Sequence, residues 1–171
     1  MGLNPRLLGF LVAAITLAVD QGHKIWMLDV FDIAARQPVA LTPFLDLVMA
    51  WNPGISYSLL SAETPQGRLA LLALSLGATL LLGVWLWRAP LKITTVGLGL
   101  IVGGALGNAY DRFAYGAVAD FFHFHVGGFH WYIFNIADVA IVAGVGLLLY
   151  ESFFMAQKKT GTAQDVTPPP N

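Results

Sequence analysis

The sequence contains no cysteine among its 171 residues, and only 11% of the residues are charged. Without thiols the chain has no disulfide, no zinc–cysteine site and no thiol nucleophile, while either redox compartment stays open to it. Soluble domains carry about a quarter charged residues, so this shortage indicates that most of the surface meets lipid. The chain has 10 acidic and 9 basic residues. Because it carries no basic excess, we expect no nucleic-acid partner.

Several catalytic signatures are also missing. The chain has no HExxH, no GxSxG and no phosphate-binding glycine loop, so zinc-protease, serine-hydrolase and nucleotide-binding functions lack support. A metal site remains an alternative because His123, His125 and His130 would share one face of a predicted hairpin. Imidazoles are also common at membrane interfaces, and three-histidine sites need more than this spacing. We expect no metal and no cofactor.

Four apolar segments are long enough to cross a membrane as helices, which takes about 20 residues. They run approximately over residues 7–28, 69–87, 93–110 and 135–154. The first could be a signal peptide, but no small-residue cleavage site follows it, and we predict a retained helix. Glycines in the third segment predict close helix packing. We predict a mainly α membrane protein with one domain, residues 1–157, and a disordered cytoplasmic tail, residues 158–171.

The segment between the first two spans, residues 29–66, is acidic and proline-rich, with strand-like patches around Pro53-Gly54. Trp51 and Tyr57 suit a membrane interface. We therefore predict a small β-rich platform and a loop outside the membrane. Basic residues gather on the side of both termini, which the positive-inside rule assigns to the cytoplasm. They are Arg6, Arg88, Lys92, Lys158 and Lys159.

Two carboxylates, Asp120 and Asp138, flank an aromatic stretch that Gly127-Gly128 interrupts. A glycine turn between β-prone runs predicts a hairpin, which places Asp120 roughly opposite Asn135. Asp138 follows one helical turn after Asn135, so the two acids come together. Close carboxylates cannot easily both ionise and tend to share a proton, as in aspartic proteases. Capping of the last helix is the alternative role for Asp138.

Further polar residues lie in or beside the predicted spans, where ionisable groups are functional candidates. Asp20 and Lys24 are four residues apart on the first helix, which favours a structural ion pair over a catalytic one. Asp111 and Arg112 are either functional or mark the end of the third span. Amides near a membrane surface can hold a peptide backbone, and the candidates are Asn52, Asn108 and Asn135. For Asn52, formation of a turn is the alternative.

Five motifs, in this order, resemble those of the lipoprotein signal peptidases, the bacterial type II signal peptidases. They are Asp20-Gln21-x-x-Lys24, Asn52-x-Gly54, Gly103-Gly104-x-x-Gly107-Asn108-x-x-Asp111-Arg112, Gly116-x-Val118-x-Asp120-Phe121 and Phe134-Asn135-x-Ala137-Asp138. The resemblance covers roughly residues 7–155. The sequence departs from the family pattern in two places: His23 replaces Ser or Thr, and Ile55–Tyr57 replaces a small residue followed by Phe.

The resemblance implies an aspartic endopeptidase of the bacterial inner membrane that acts as a monomer among membrane lipids. Its substrates would be diacylglyceryl-modified prolipoproteins, cut on the amino side of the lipidated cysteine, and globomycin would inhibit it. Asp120 and Asp138 would be the catalytic pair, near the periplasmic face. The outer loop, residues 29–66, would close over the substrate. Residues that bind substrate or support the site would be Asn108, Arg112, Asn135, Asn52, Gly54, Asp20 and Lys24.

A transporter or proton channel is the main alternative from another class, because buried Asp and Asn residues also build ion paths. Its carboxylates would lie at mid-membrane, often in repeated halves, whereas these cluster near one end of the spans and no internal repeat is present. A non-enzymatic membrane subunit would explain the glycine packing but not the two acids beside a hairpin. The peptidase is therefore the favoured prediction.

Overall fold

A computed structural model describes residues 3–54 and 65–163, with side chains as far as Phe153. Helix α1 (Pro5–Ile25) continues into a π-helical segment, Trp26–Val30, and is followed by the short helix α2 (Ile33–Arg36). The remaining elements are strands β1 (Val39–Thr42) and β2 (Leu45–Asn52), helices α3 (Pro65–Arg88) and α4 (Lys92–Tyr115), strands β3 (Val118–Val126) and β4 (Phe129–His130), and helix α5 (Ile136–Ala163).

Four helices in the described residues are long and apolar enough to cross a membrane, which confirms the predicted architecture. They are α1 with its π-helical extension, α3, α4 and α5. Helix α4 is the central helix of the bundle. In its most apolar segment 67% of the residues are buried, against 22% in α1, 17% in α3 and 11% in α5. Helix α4 also runs five residues beyond the predicted end of the third span, from Tyr110 to Tyr115.

Helix α4 packs closely on both sides because its glycines leave room for neighbouring backbone. A methyl group at Gly99 would lie 2.5 Å from the carbonyl oxygen of Gly9 on α1. On another side, a methyl group at Gly104 would lie 2.6 Å from the carbonyl oxygen of Ala137 on α5. Neither distance is compatible with a Cβ atom, so these helices approach as the glycine pattern predicts.

The four strands form one antiparallel sheet in the order β1-β2-β3-β4. The predicted hairpin is confirmed, with Gly127 and Gly128 at φ 53° and 85° between β3 and β4. A further bridge pairs Phe122 with Phe134 and brings the chain back to the start of α5. The sheet packs on the π-helical segment after α1 and on α2 through a buried cluster of Met27, Ile33, Leu47, Ala119 and Phe121.

Some predictions fall on residues 55–64, which lie outside the described residues. They include the Ile55–Tyr57 departure, the interfacial position of Tyr57 and the closing of the outer loop. Helix α5 extends to Ala163, past the predicted end of the last span and into the tail segment 158–171. The disorder of that tail stays a prediction, and residues 164–171 lie outside the described part.

We expect Gly99→Ala to lower the free energy of unfolding by about 1–3 kcal/mol, because the new methyl group must displace the backbone of α1. Gly83→Ala on α3 is a matched control, since nothing lies within 4 Å of the added carbon. This control should be neutral or slightly stabilising because alanine favours helix more than glycine does. Unfolding in mixed detergent micelles measures both variants, and equal stabilities would contradict the packing role of Gly99.

Candidate active site

Asp120 lies on β3 with 2% of its surface exposed, and both of its carboxylate oxygens accept hydrogen bonds. Asn135 Nδ2 donates to Oδ1 at 2.6 Å, and Asn52 Nδ2 donates to Oδ2 at 3.2 Å. Asn52 reaches it because Asn52 pairs with Val118 across the sheet, so Asp120 is its diagonal neighbour on the same face. The hairpin thus brings Asp120 to Asn135, as predicted.

Asp138 lies in the first turn of α5 and is half-buried. It forms a reciprocal cap with Asn135: the Asn135 N–H donates to Asp138 Oδ2 at 3.1 Å, and the Asp138 N–H donates to Asn135 Oδ1 at 3.0 Å. Its other oxygen, Oδ1, accepts from Asn108 Nδ2 at 3.0 Å. Asp138 therefore caps the last helix, which was the alternative role for it. The cap leaves Oδ1 directed towards Asn108.

Two asparagine amides connect the carboxylates. Asn135 Nδ2, which donates to Asp120, also donates to Asn108 Oδ1 at 3.1 Å, and the Asn108 amide in turn donates to Asp138. Asn135 is fully buried and Asn108 is 8% exposed. Strand β3, helix α4 and the start of α5 each supply part of this chain of hydrogen bonds, so the site forms only when all three elements pack together.

Burial, with a smaller contribution from the nearby charge of Asp138, raises the pKa of Asp120 from its ordinary value to about 6. Hydrogen bonds from Asn52 and Asn135 and the charge of Lys24 oppose this change, because each favours the ionised carboxylate. A carboxyl group with this pKa keeps its proton closer to neutral pH than an exposed aspartate does. A proton on Asp120 is therefore available for transfer at a pH closer to neutral.

Arg112 lies one turn after Asn108 on α4 and donates to the Asn108 carbonyl oxygen at 3.3 Å. Its Nε atom is buried without a hydrogen-bond partner among the described residues. The guanidinium as a whole interacts electrostatically with Asp138 and Asp120. The structure thus brings Arg112 to the predicted site.

The predicted ion pair is also present, because Lys24 Nζ lies 2.8 Å from Asp20 Oδ2 and both side chains are buried. Lys24 also donates to Asn108 Oδ1 at 3.2 Å, so the pair adjoins the site. Asn52 forms the predicted turn, since its Oδ1 accepts from the Gly54 N–H at 3.1 Å, and its amide also reaches Asp120.

Two residues of this region were missed or left open by the sequence. Asp111 is fully buried, and α4 continues past it to Tyr115, while its position where the third helix leaves the membrane stays a prediction. Gln21 donates to Asp111 Oδ1 at 2.9 Å and to the Gly107 carbonyl oxygen at 3.2 Å. The available signal was an amide beside a carboxylate within an apolar helix, where polar groups need partners.

The hairpin brings the three histidines together, as their spacing predicts. His130 Nδ1 lies 3.2 Å from His123 Nε2, while His125 Nε2 lies 3.0 Å from Asp46 Oδ2. Across residues 3–54 and 65–163, however, no group of three or more histidine or acidic side chains is arranged to hold a metal ion. The metal-site alternative therefore finds no support in this geometry.

Known proteins with the same sequence pattern identify the family. A model of the signal peptidase (SPase) II family matches residues 12–154. The chain belongs to the signal peptidase II family. The lipoprotein signal peptidase of Methylocella silvestris is 64% identical over 155 residues, which are 91% of each chain. That of Beijerinckia indica is 56% identical, over 88% of this chain and 90% of the relative.

Solved structures share the fold. Two structures of bacterial membrane enzymes superpose with TM-scores of 0.72 and 0.73, at 24% and 25% identity. The first covers 95% of this chain and 94% of its own, and the second covers 85% and 92%. Signal peptidases of type II cleave signal peptides from prolipoproteins, so this multi-pass membrane protein is a protease of that class. The sequence-based prediction of the family and its reaction is confirmed.

We expect Asn52→Ala to raise the pKa of Asp120 further, because the lost amide donor stabilises the ionised carboxylate. Titration of ¹³C-labelled aspartate by NMR in detergent micelles measures this pKa in both proteins. Asn4→Ala is the matched control, since Asn4 caps α1 at the opposite end of the bundle. A pKa of Asp120 that stays constant or falls in Asn52→Ala would contradict the hydrogen bond.

Proposed function

We propose that the protein is an aspartic endopeptidase in which Asp120 and Asp138 share one proton and hydrolyse one peptide bond of a prolipoprotein. The observation that carries this proposal is the connection of the two carboxylates through Asn135 and Asn108. The raised pKa of Asp120 supports it, because a proton held near neutral pH allows one acid and one base in the same site.

In the proposed mechanism, the ionised carboxylate of the pair accepts a proton from a water molecule, and that water attacks the scissile carbonyl carbon. The protonated carboxyl group donates its proton to the carbonyl oxygen, which gives a tetrahedral diol. The C–N bond then breaks as the amine takes a proton from one carboxyl group of the pair, while a hydroxyl group of the diol gives its proton to the other carboxylate and the carbonyl of the new carboxyl terminus re-forms. These roles belong to the pair rather than to fixed members, because coupled carboxylates titrate as a unit.

The surrounding donors would hold the substrate backbone. The Arg112 guanidinium interacts electrostatically with both Asp138 and Asp120, so we assign it to a substrate carbonyl oxygen. The amides of Asn108 and Asn135 orient the carboxylates, and Asn52 with Gly54 forms a turn at the edge of the site. Lys24 and Asp20 would support this arrangement through their hydrogen bonds with Asn108 and with the Ala137 N–H, respectively.

The substrate would be a prolipoprotein whose cysteine carries diacylglycerol, cut on the amino side of that cysteine. An apolar groove of about 550 Å³ supports a lipid-modified substrate, because it lies between α1, α3 and α4 near the sheet end of the bundle. Its lining is Leu17, Gln21, Ile25, Leu72, Leu76, Leu106, Ala109, Tyr110 and Phe113. Acyl chains could stay in this groove or in lipid while the peptide bond reaches the aspartates.

We place both termini in the cytoplasm and the sheet at the periplasmic face of the inner membrane. The basic end of the bundle supports this orientation, since Arg6 stacks on Trp87 at 5.2 Å and Arg88 and Lys92 follow at the same end. The sheet and both aspartates lie at the other end. The enzyme would act as a monomer, and globomycin-type peptides would compete with substrate for the aspartates.

Asp120→Asn and Asp138→Asn should each lower kcat for a diacylated lipobox peptide by at least about 100-fold, because an amide cannot exchange the proton. Both variants should still insert and fold, since asparagine keeps the size of the side chain. Asp46→Asn is the matched control on the same sheet, and it should cleave normally. Near-normal turnover by either of the first two variants would remove that residue from the mechanism.

The proposed chemistry needs no metal, so EDTA and 1,10-phenanthroline should leave the cleavage rate unchanged. The measurement is the rate of product formation by purified enzyme before and after dialysis against each chelator. Activity that disappears with the chelator and returns with added zinc would overturn the two-aspartate mechanism. Such a result would favour a metal site at the histidines of the hairpin.

A further inference from the structure

Asp20, Lys24 and Asp111 form a buried ion triad that adjoins Asp120 and Asp138. Lys24 Nζ is 2.8 Å from Asp20 Oδ2 and 2.7 Å from Asp111 Oδ2, and the three side chains are at most 2% exposed. The third donor of the ammonium group goes to Asn108 Oδ1 at 3.2 Å. All three hydrogens of the lysine are therefore used inside the protein.

The Asp111 arm of the ion triad reaches the strand that carries Asp120. Asp111 Oδ2, besides its contact with Lys24, accepts a hydrogen bond from the Ala119 N–H at 3.1 Å. Ala119 is fully buried and immediately precedes Asp120 in the chain. The carboxylate of Asp111 thus holds the backbone at the residue before the first aspartate.

The Asp20 arm does the same for the second aspartate. Asp20 Oδ1 accepts a hydrogen bond from the Ala137 N–H at 2.9 Å, and Ala137 immediately precedes Asp138. This N–H belongs to the first turn of α5, where backbone donors have no partner within the helix. One lysine therefore joins two carboxylates, each of which holds the main chain next to one member of the catalytic pair.

Stability alone does not account for this arrangement. Burying three charges carries a desolvation penalty, and apolar side chains of similar volume are often at least as stabilising. What apolar side chains cannot do is accept two specific backbone N–H groups and direct an ammonium group to Asn108. Because Lys24 and Asn135 both donate to Asn108 Oδ1, the Asn108 amide nitrogen is left facing Asp138.

We propose that Asp111 is a positioning residue for the reaction: through the ion triad it sets the separation of the Asp120 and Asp138 backbones. This inference rests on the proposed function, in which both aspartates act on one bond. A small displacement of either backbone would change the distance between the carboxylates without removing any group that binds substrate. The ion triad therefore acts on the chemical step rather than on binding.

Asp111→Asn tests the proposal with the smallest change, since asparagine keeps the size and one oxygen acceptor but loses the charge. We expect kcat for a diacylated lipobox peptide to fall by about 10- to 100-fold, as small misplacements of catalytic groups do. KM should stay within about threefold, because the side chain of Arg112 and those that line the apolar groove are unchanged. The folded fraction, measured by size-exclusion chromatography and thermal unfolding in detergent, corrects kcat for loss of protein.

A second change removes the backbone donor itself. Lactic acid in place of Ala119, introduced by nonsense suppression, replaces that N–H by an ester oxygen and leaves every side chain unchanged. It should reproduce the loss of kcat, whereas the same replacement at the exposed Ala114 on α4 should not. This variant decides the question if Asp111→Asn does not fold.

The results separate this proposal from the function on which it rests. Wild-type kcat in the folded fraction of Asp111→Asn, or a loss confined to KM, overturns the positioning role. If Asp111→Asn does not fold, wild-type kcat in the Ala119 ester overturns it. Asp120→Asn and Asp138→Asn, assayed in parallel, test the function itself: if they remain active, the two-aspartate mechanism fails, whatever Asp111→Asn does.

Discussion

Asp120 is held almost out of contact with solvent, beside a second carboxylate whose charge acts on it. Burial and this neighbouring charge both disfavour the ionised form of Asp120, which is why its pKa is raised to about 6. The surrounding amides limit this effect rather than remove it, because their donors stabilise the ionised form. Much of the polar architecture, from Asn52 on the sheet to Asn108 in the central helix, serves this balance.

The membrane helices make that site possible by their close approach. Glycines on α4 allow the backbones of α1 and α5 to contact the backbone of α4. A methyl group at Gly107 would collide with the Asp20 carboxylate. Only at such short range can Asp20 reach the Ala137 N–H at the start of α5. The same small residues that pack the bundle therefore leave the space in which the ion triad sits. Fold and site share one set of constraints.

The sequence predicted the features that have a local signature. Apolar length indicated four spans, the Gly127-Gly128 turn indicated the hairpin, and their combination brought Asp120 to Asn135. The role of Asp111 was left open, since a charged pair after an apolar run also suits a helix end. Its partner Gln21 is 90 residues away in the chain, and backbone donors such as the Ala119 N–H carry no residue signature at all.

The most direct test of the shared-proton account is a structure with a lipobox peptide whose scissile amide is replaced by a hydroxyl-bearing, non-cleavable group. The account predicts that this hydroxyl oxygen lies within about 2.6–3.2 Å of a carboxylate oxygen of both Asp120 and Asp138. It would occupy the position of the attacking water. A bound analogue whose hydroxyl group contacts only one of the two aspartates, with the other turned away, would contradict it.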